Sequence, residues 1–346
     1  MDDLAILIGL LKHYSPTGSE GSAVNYLVDL MSQLGFQAQI DRTGNAVGIL
    51  GEGPRELVLL GHIDTVPGEI PVQTIGDRLY GRGAVDAKGP LACFTAAAAR
   101  VGARAGWRII VIGALAEEGD SHGARGILSE YHPEVVIIGE PSGWEHVTLG
   151  YKGSAWVRLQ VDKPVAHTAS QLESACEAAV EAWIQVKAYA TRLNAGKNRV
   201  FDQLTPSLRD MKSSTNGFIH SAQLEINFRL PPGLSSESLI SGLQALVPDA
   251  NLDLVDWIPS YRAEKNTPLV RAMLAGIRSQ GGTPTFSLKT GTADLNIVAP
   301  VWKCQAVAYG PGDSTLDHTP EEHILISEYY QSVKVLSQAL LQLTSS

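Results

Sequence analysis

The sequence predicts an α/β fold: a mostly parallel sheet with helices on both faces, interrupted by a smaller inserted α+β domain. Three observations predict it. Runs of Val, Ile and Leu at 57–60, 109–112 and 135–138 are apolar without alternation, the pattern of strands buried on both faces. Helical segments separate them, so the strands are joined by crossovers rather than hairpins. From about residue 149 the strands alternate instead, as in Ala155-Trp156-Val157-Arg158-Leu159-Gln160-Val161, which marks a sheet with one wet face.

Taken in order, two helical patterns open the chain, residues 2 to 13 and about 20 to 35, the second entered through Ser15-Pro16-Thr17-Gly18-Ser19. The alanine-rich stretch 90 to 103 reads as a crossover helix between the first two buried strands. In the middle of the chain, strand, helix (171 to 190), strand (222 to 230), helix (236 to 246) and strand (251 to 255) make one module. Near Asn266 the earlier style returns, with a helix from about 267 to 279 and a strand from Cys304 to Tyr309. The simplest account is a discontinuous domain, 1–148 and 260–346, with residues 149–259 inserted. At 346 residues two domains are the prior expectation.

Composition excludes several function classes. A formal charge of −9 argues against nucleic-acid binding, which needs clustered basic surface, although Lys152 or Lys289 could hold a carboxylate locally. No apolar stretch approaches the roughly 20 residues of a membrane helix. The opening Met1-Asp2-Asp3 is acidic where a secretory signal is basic. Three scattered cysteines (Cys93, Cys176, Cys304) without CxxC spacing fit a reducing compartment, so the expected location is the cytoplasm. Gly51-Glu52-Gly53 lacks a third glycine in register and leads into a strand, so it does not make a nucleotide site.

Ligands bind beyond the carboxyl ends of strands in open α/β sheets, and those ends are where this chain places unusual polar residues. The first strand runs into His62-Ile63-Asp64, the second into Glu117-Glu118, the third into Gly139-Glu140, and the last is followed by Asp317-His318. One such end is an ordinary turn; four at the same edge are a site. Imidazole and carboxylate together suit divalent metals, and a pair of ions needs a bridging carboxylate. Asp86, in the turn Gly81 to Gly89, is the candidate bridge, although before a helix an aspartate reads first as an N-cap. His62 and Asp64, two apart in extended chain, point the same way, and the acid orients the ring. Glu117 and Glu118 are adjacent and expected to diverge, one toward a metal and one toward substrate, without the residues themselves saying which. Thr319-Pro320-Glu321-Glu322 reads as a capping box that starts the terminal helix and holds His318 at its mouth.

At these residues the chain resembles the co-catalytic metallohydrolase family that includes acetylornithine deacetylase, succinyl-diaminopimelate desuccinylase and zinc carboxypeptidases. The matching motifs are Gly61 to Pro67, Gly81 to Lys88, Glu117-Glu118-Gly119, Gly139-Glu140-Pro141 and Asp317 to Pro320, in the family's order. The resemblance implies a zinc-peptidase-like catalytic domain with a lid or dimerisation domain, and two divalent ions, zinc first, with cobalt or manganese acceptable. It implies that Asp86 bridges the ions, His62 and Glu140 complete one, and Glu118 and His318 the other. It makes Glu117 the general base and acid and Asp64 the partner of His62. His167, in Pro164-Val165-Ala166-His167-Thr168, falls where the family stabilises the oxyanion, often from a partner subunit, so a homodimer is implied.

Asn216 and Arg229 fall where the family holds the substrate's carboxylate, for which a guanidinium fork is suited. Gly291-Thr292-Ala293-Asp294 resembles a family substrate loop, Gly291 and Thr292 included, with alanine in the third place. Lys289 to Asn296 and Tyr309 to His318 resemble the family branch that releases lysine, and in some members ornithine, from the amino-group carrier protein LysW. Within the family the alternatives are an acetylornithine deacetylase, a desuccinylase, or another N-acyl amino-acid deacylase or dipeptidase. A non-catalytic metal-stabilised binding protein is the alternative of another class, and the complete ligand set with its base argues against it.

Overall fold

The structure, a computed structural model, describes residues 2–345. The chain divides into two compact units, one of residues Met1–Gly150, Ala263–Leu288 and Ala293–Ser346, the other of Tyr151–Arg262 and Lys289–Thr292.

The first unit is built on a mixed, mostly parallel sheet. Arg55–His62 lies between Trp107–Ala114 and Val135–Gly139, and Gln305–Tyr309 continues beyond Val135–Gly139, all parallel. Leu57, Val58, Leu59 and Leu60 are each 0% exposed, so both faces of this strand are covered. Gly61 pairs with both Gly113 and Gly139, a glycine row across three strands. A Cβ on Gly61 would stand 3.3 Å from the side chain of Leu91, and one on Gly139 would stand 3.1 Å from the Gly61 backbone. The row lets the alanine-rich helix Lys88–Val101 settle closely on the ends of these strands. That helix packs with Ile326–Leu343 and Asp3–Leu11.

Two strands not foreseen, Gln37–Ile40 and Ala46–Leu50, form an antiparallel hairpin on the edge beside Trp107–Ala114. Both are short; Gln37–Ile40 is mostly exposed, and Ala46–Leu50, though largely buried, has its apolar run interrupted by Gly48. The terminal helix is a correction: it begins at Ile326, after the short strand His323–Leu325, not at Thr319. Glu322 is drawn into the interior by Arg82 and two backbone N–H groups, and a residue so engaged cannot serve a helix start.

The second unit is an antiparallel sheet in the order Thr205–Thr215, Ile219–Leu230, Gly153–Pro164, Asn251–Ile258. Helices Ala175–Leu193 and Ser236–Leu246 cover one face, where Val157, Leu159, Leu224, Ile226 and Phe228 form a core with Ala179, Val186, Leu239 and Leu243. Alternate residues such as Trp156, Asn227 and Arg229 point to the other face. Thr205–Thr215 was not foreseen: it is a polar edge strand, largely exposed, with a bulge between Leu208 and Asp210.

Candidate metal centre

In the first unit the four strand ends bring their polar residues together. His62, the last residue of its strand, is 2% exposed. Its Nδ1 faces the Asp64 carbonyl at 3.0 Å and the Asp64 carboxylate at 3.4 Å, and its Nε2 lies 3.0 Å from Asp86 Oδ1. Burial by itself would lower its pKa, but hydrogen bonds to Asp64 and Asp86 overcome this and raise it well above the ordinary value. Asp64, fully buried, accepts the N–H groups of Glu117 at 3.0 Å and Glu118 at 3.1 Å and the hydroxyl of Thr17 at 2.8 Å. It thereby ties the loop after one strand to the end of its neighbour. Thr17 was not singled out from the sequence, where a hydroxyl in a polar entry loop carries no distinguishing signal.

Asp86 is not a helix cap; Ala87 takes that position. Its two oxygens are shared instead, Oδ1 with His62 and Oδ2 with His318 Nε2, both at 3.0 Å. Burial opposes its ionisation, but the two imidazoles more than offset that and pull its pKa down. His318 sits in left-handed backbone, φ 62°, after the short 3₁₀ turn Ser314–Leu316, and its Nε2 also lies 2.7 Å from Glu118 Oε1. The Asp86 contact raises its pKa to about 9, against partial burial and with Glu118 adding to the rise.

Glu117 and Glu118 do not diverge as expected. Ala116 turns the chain with φ 55°, and ligand atoms of His62, Glu117 and Glu118 all come within 4.8 Å of one another. Asp86, Glu118 and His318 form a second group of the same tightness. Glu140, 8% exposed at the end of its strand, falls outside both groups, and burial followed by the charge of Asp86 raises its carboxyl well above the usual range. Glu117 is raised likewise, by burial and the neighbouring charges of Glu140, Asp294 and Asp86, with His62 opposing. Asp294 is a further buried acid beside this cluster, 2% exposed and pushed up to about 7 chiefly by burial.

The donor set fits divalent metal ions. Carboxylates and two imidazoles offer only oxygen and nitrogen; Glu118 is common to the two groups, and the Asp86 carboxylate lies 3.0 Å from His62 on one side and His318 on the other, as a bridging ligand would. Several buried acids repel one another here, and cations are what such a cluster needs to keep them ionised.

The other candidates lie in the second unit. His167 is exposed in a turn, its Nδ1 accepting the N–H of Ala169 at 3.1 Å, and it lines a cavity of about 880 Å³ with Thr215, His220 and Glu181. Asn216 accepts the N–H groups of Phe218 at 3.0 Å and Ile219 at 2.8 Å in the hairpin turn. Arg229 Nη1 donates to Thr292 Oγ1 at 3.2 Å, beside Gly291 on the segment Lys289–Thr292 that belongs to this unit. Thr215 pairs with His220, and Thr205 with Arg229, so Asn216 and Arg229 stand at opposite ends of one hairpin. At roughly 3.4 Å per residue they are about 30 Å apart, and within one chain they cannot grip a single carboxylate together. His167 and Asn216 share an end, since Pro164 pairs with Ile219 and Val165 N–H reaches the Phe218 carbonyl at 2.8 Å. Lys152 is no carboxylate holder: it is buried, and its ammonium donates to the carbonyls of Val200 and Gln203 and the hydroxyl of Thr205.

Fold and donor set together define a metal-dependent hydrolase. The sequence pattern of peptidase family M20/M25/M40 matches residues 58–342, and the chain belongs to that family. It is 42% identical to the [LysW]-lysine hydrolase of Deinococcus radiodurans, over 95% of this chain and 93% of that protein. It is 30% identical to the [LysW]-lysine/[LysW]-ornithine hydrolase of Saccharolobus solfataricus, over 98% of this chain and 95% of the other. Among solved structures, an M20-family metallo-carboxypeptidase from Sulfolobus solfataricus superposes with a TM-score of 0.76 at 18% identity, covering 100% of both chains. A tripeptidase from Staphylococcus aureus does so with a TM-score of 0.80 at 17% identity, covering 99% of this chain and 98% of its own. These likenesses bear out the mixed α/β sheet with a separate antiparallel sheet. No described helix is long and apolar enough to cross a membrane.

Proposed function

We propose that this chain hydrolyses the amide bond joining lysine, and also ornithine, to the carrier protein LysW, as a cytoplasmic homodimer holding two divalent ions, zinc before cobalt or manganese. The observation that carries the chemistry is the Asp86 carboxylate, placed 3.0 Å from one imidazole on each side. The substrate rests on the names of the relatives, 42% and 30% identical over nearly the whole chain.

In this reading two ions would be held by Asp86 between them, by His62 and Glu140 on one side, and by Glu118 and His318 on the other. Bound ions would supply polarisation of the scissile carbonyl and acidification of the attacking water. Glu117 takes the proton of that water as its oxygen bonds to the carbonyl carbon, and returns it to the amine as the carbon–nitrogen bond breaks. Burial suits Glu117 to the task, because it raises the basicity of the carboxylate. Asp64 holds the His62 ring and the backbone of Glu117 and Glu118. Arg229, with Gly291 and Thr292, receives the carboxylate of the leaving amino acid. His167 and Asn216, at the far end of their hairpin, act on the substrate bound by a second copy, His167 on the oxyanion.

The test is amino-acid release by metal-loaded protein from LysW-linked lysine, LysW-linked ornithine and acetylornithine, side by side. Release from the carrier is the expected result. Cleavage of acetylornithine alone would move the protein to small-molecule deacylation.

A further inference from the structure

Beneath the candidate ligands lies a buried pair of charges that the chemistry above does not use. Glu322, 1% exposed, follows His318 by four residues. Its Oε1 accepts two consecutive backbone N–H groups, Val85 at 2.9 Å and Asp86 at 3.1 Å, and its Oε2 accepts Arg82 Nη1 at 2.8 Å. Arg82, 7% exposed, spends its Nε on the Gly68 carbonyl at 2.8 Å, and the Gly68 N–H in turn donates to the Tyr14 hydroxyl at 2.9 Å.

A buried ion pair is weak support for stability on its own, because desolvation consumes most of the attraction. What this one supplies is direction. Two N–H groups converging on one oxygen fix the peptide that leads into Asp86, and therefore the line along which its carboxylate leaves the backbone. The same glutamate anchors the chain just past His318, a non-glycine residue at φ 62°, a conformation that persists only where its surroundings over-determine it. One side chain thus fastens two segments more than 200 residues apart, whose own side chains meet at 3.0 Å. The pair is neutral overall, so it does this without adding to the acidity of the site.

We propose that Glu322, held by Arg82, is a positioning residue that keeps Asp86 and His318 in register and so sets the metal position formed with Glu118. The inference rests on the ligand roles proposed above. Loss of such an outer partner typically weakens metal binding by roughly 10–100-fold.

The test compares wild-type protein with Glu322→Asp, which keeps the charge but shortens its reach by one methylene. Zinc affinity is measured by chelator competition, cobalt loading by its visible absorption spectrum, and turnover with LysW-linked lysine. The wild type is expected to bind two ions. Glu322→Asp is expected to bind one as before and the second about 10–100-fold more weakly. Its cobalt spectrum changes, and kcat falls with little change in KM. Wild-type affinities and spectrum in the variant, even with a lowered Tm, would overturn the proposal, because only a structural role would remain. Should Glu322→Asp fail to fold, Arg82→Lys loosens the same clasp, with the same loss expected in smaller measure and unchanged binding again contradicting it. Wild-type protein that does not take up two ions contradicts the ligand assignment itself, a failure distinguishable from that of the clasp alone.

Discussion

In the parallel-sheet unit, the apolar run Leu57 to Leu60 delivers His62 to a place where both ring nitrogens meet acids. In the antiparallel unit, His167 and Asn216 spend their acceptors on N–H groups of their own turns and remain exposed. The first arrangement is costly, since buried like charges raise one another's pKa, and it is sustained by function rather than by stability. The second is what a turn needs in any protein. The metal centre therefore draws its side chains from several strand ends, whereas His167 and Asn216 are held by their own turns, and the substrate role proposed for them depends on a second copy.

The largest effect is expected at Glu117. Glu117→Gln is expected to lower kcat by about 10²–10⁴-fold, the range for a positioned acid–base group, with metal content unchanged by atomic absorption. Retained turnover would remove Glu117 from the chemistry. Phe228, fully buried in the core of the antiparallel unit, offers the complementary change. Phe228→Ala should cost about 3–5 kcal/mol in that unit's unfolding by denaturant, while zinc affinity stays as in the wild type. A lost metal site would mean that the centre depends on the antiparallel core.

His167→Ala is expected to reduce kcat by about 10²–10³-fold with metal binding intact, the cost of losing one oxyanion donor. Mixing it with a Glu117→Gln chain should restore activity if His167 serves a second copy, since one site in the mixed dimer has both groups; no recovery would place His167 on its own chain's substrate.

The smallest expected effect is one of pH, and its sign follows from His318. Its pKa in the metal-free fold, about 9, lies above the unfolded value near 6.5. Its contribution to stability is fully present below about 6.5 and is lost as pH rises through about 9. A metal ion must displace that proton, so zinc affinity should climb over the same window. Thermal scans of metal-free and zinc-loaded protein at pH 6.5, 7.5 and 8.5 should therefore separate progressively; parallel curves would exclude His318 as a ligand.

Much of this was legible in the sequence, for reasons that differ by region. Uniformly apolar strands announce a two-sided sheet, and His62, Glu140 and the Glu117 loop stand where such strands end. The local geometry was not legible. Ala116 adopts a left-handed conformation that its side chain does not advertise, and Asp64, more than 50 residues away, gathers the N–H groups of both Glu117 and Glu118, whose ligand atoms come together instead of diverging. Thr319-Pro320-Glu321-Glu322 has the residues of a helix start, but the interior claims Glu322, a long-range demand that no local pattern reports. Thr205–Thr215 is a strand because Ile219–Leu230 pairs with it, not because its own polar residues favour one. The separation of Asn216 from Arg229 likewise became visible only with the hairpin register.

The most direct measurement is anomalous diffraction at the zinc edge from crystals of the zinc-loaded protein. Two peaks are expected flanking the Asp86 carboxylate, one bounded by His62 and Glu140 and the other by Glu118 and His318. A single peak, or peaks that leave Asp86 unliganded, would contradict that assignment.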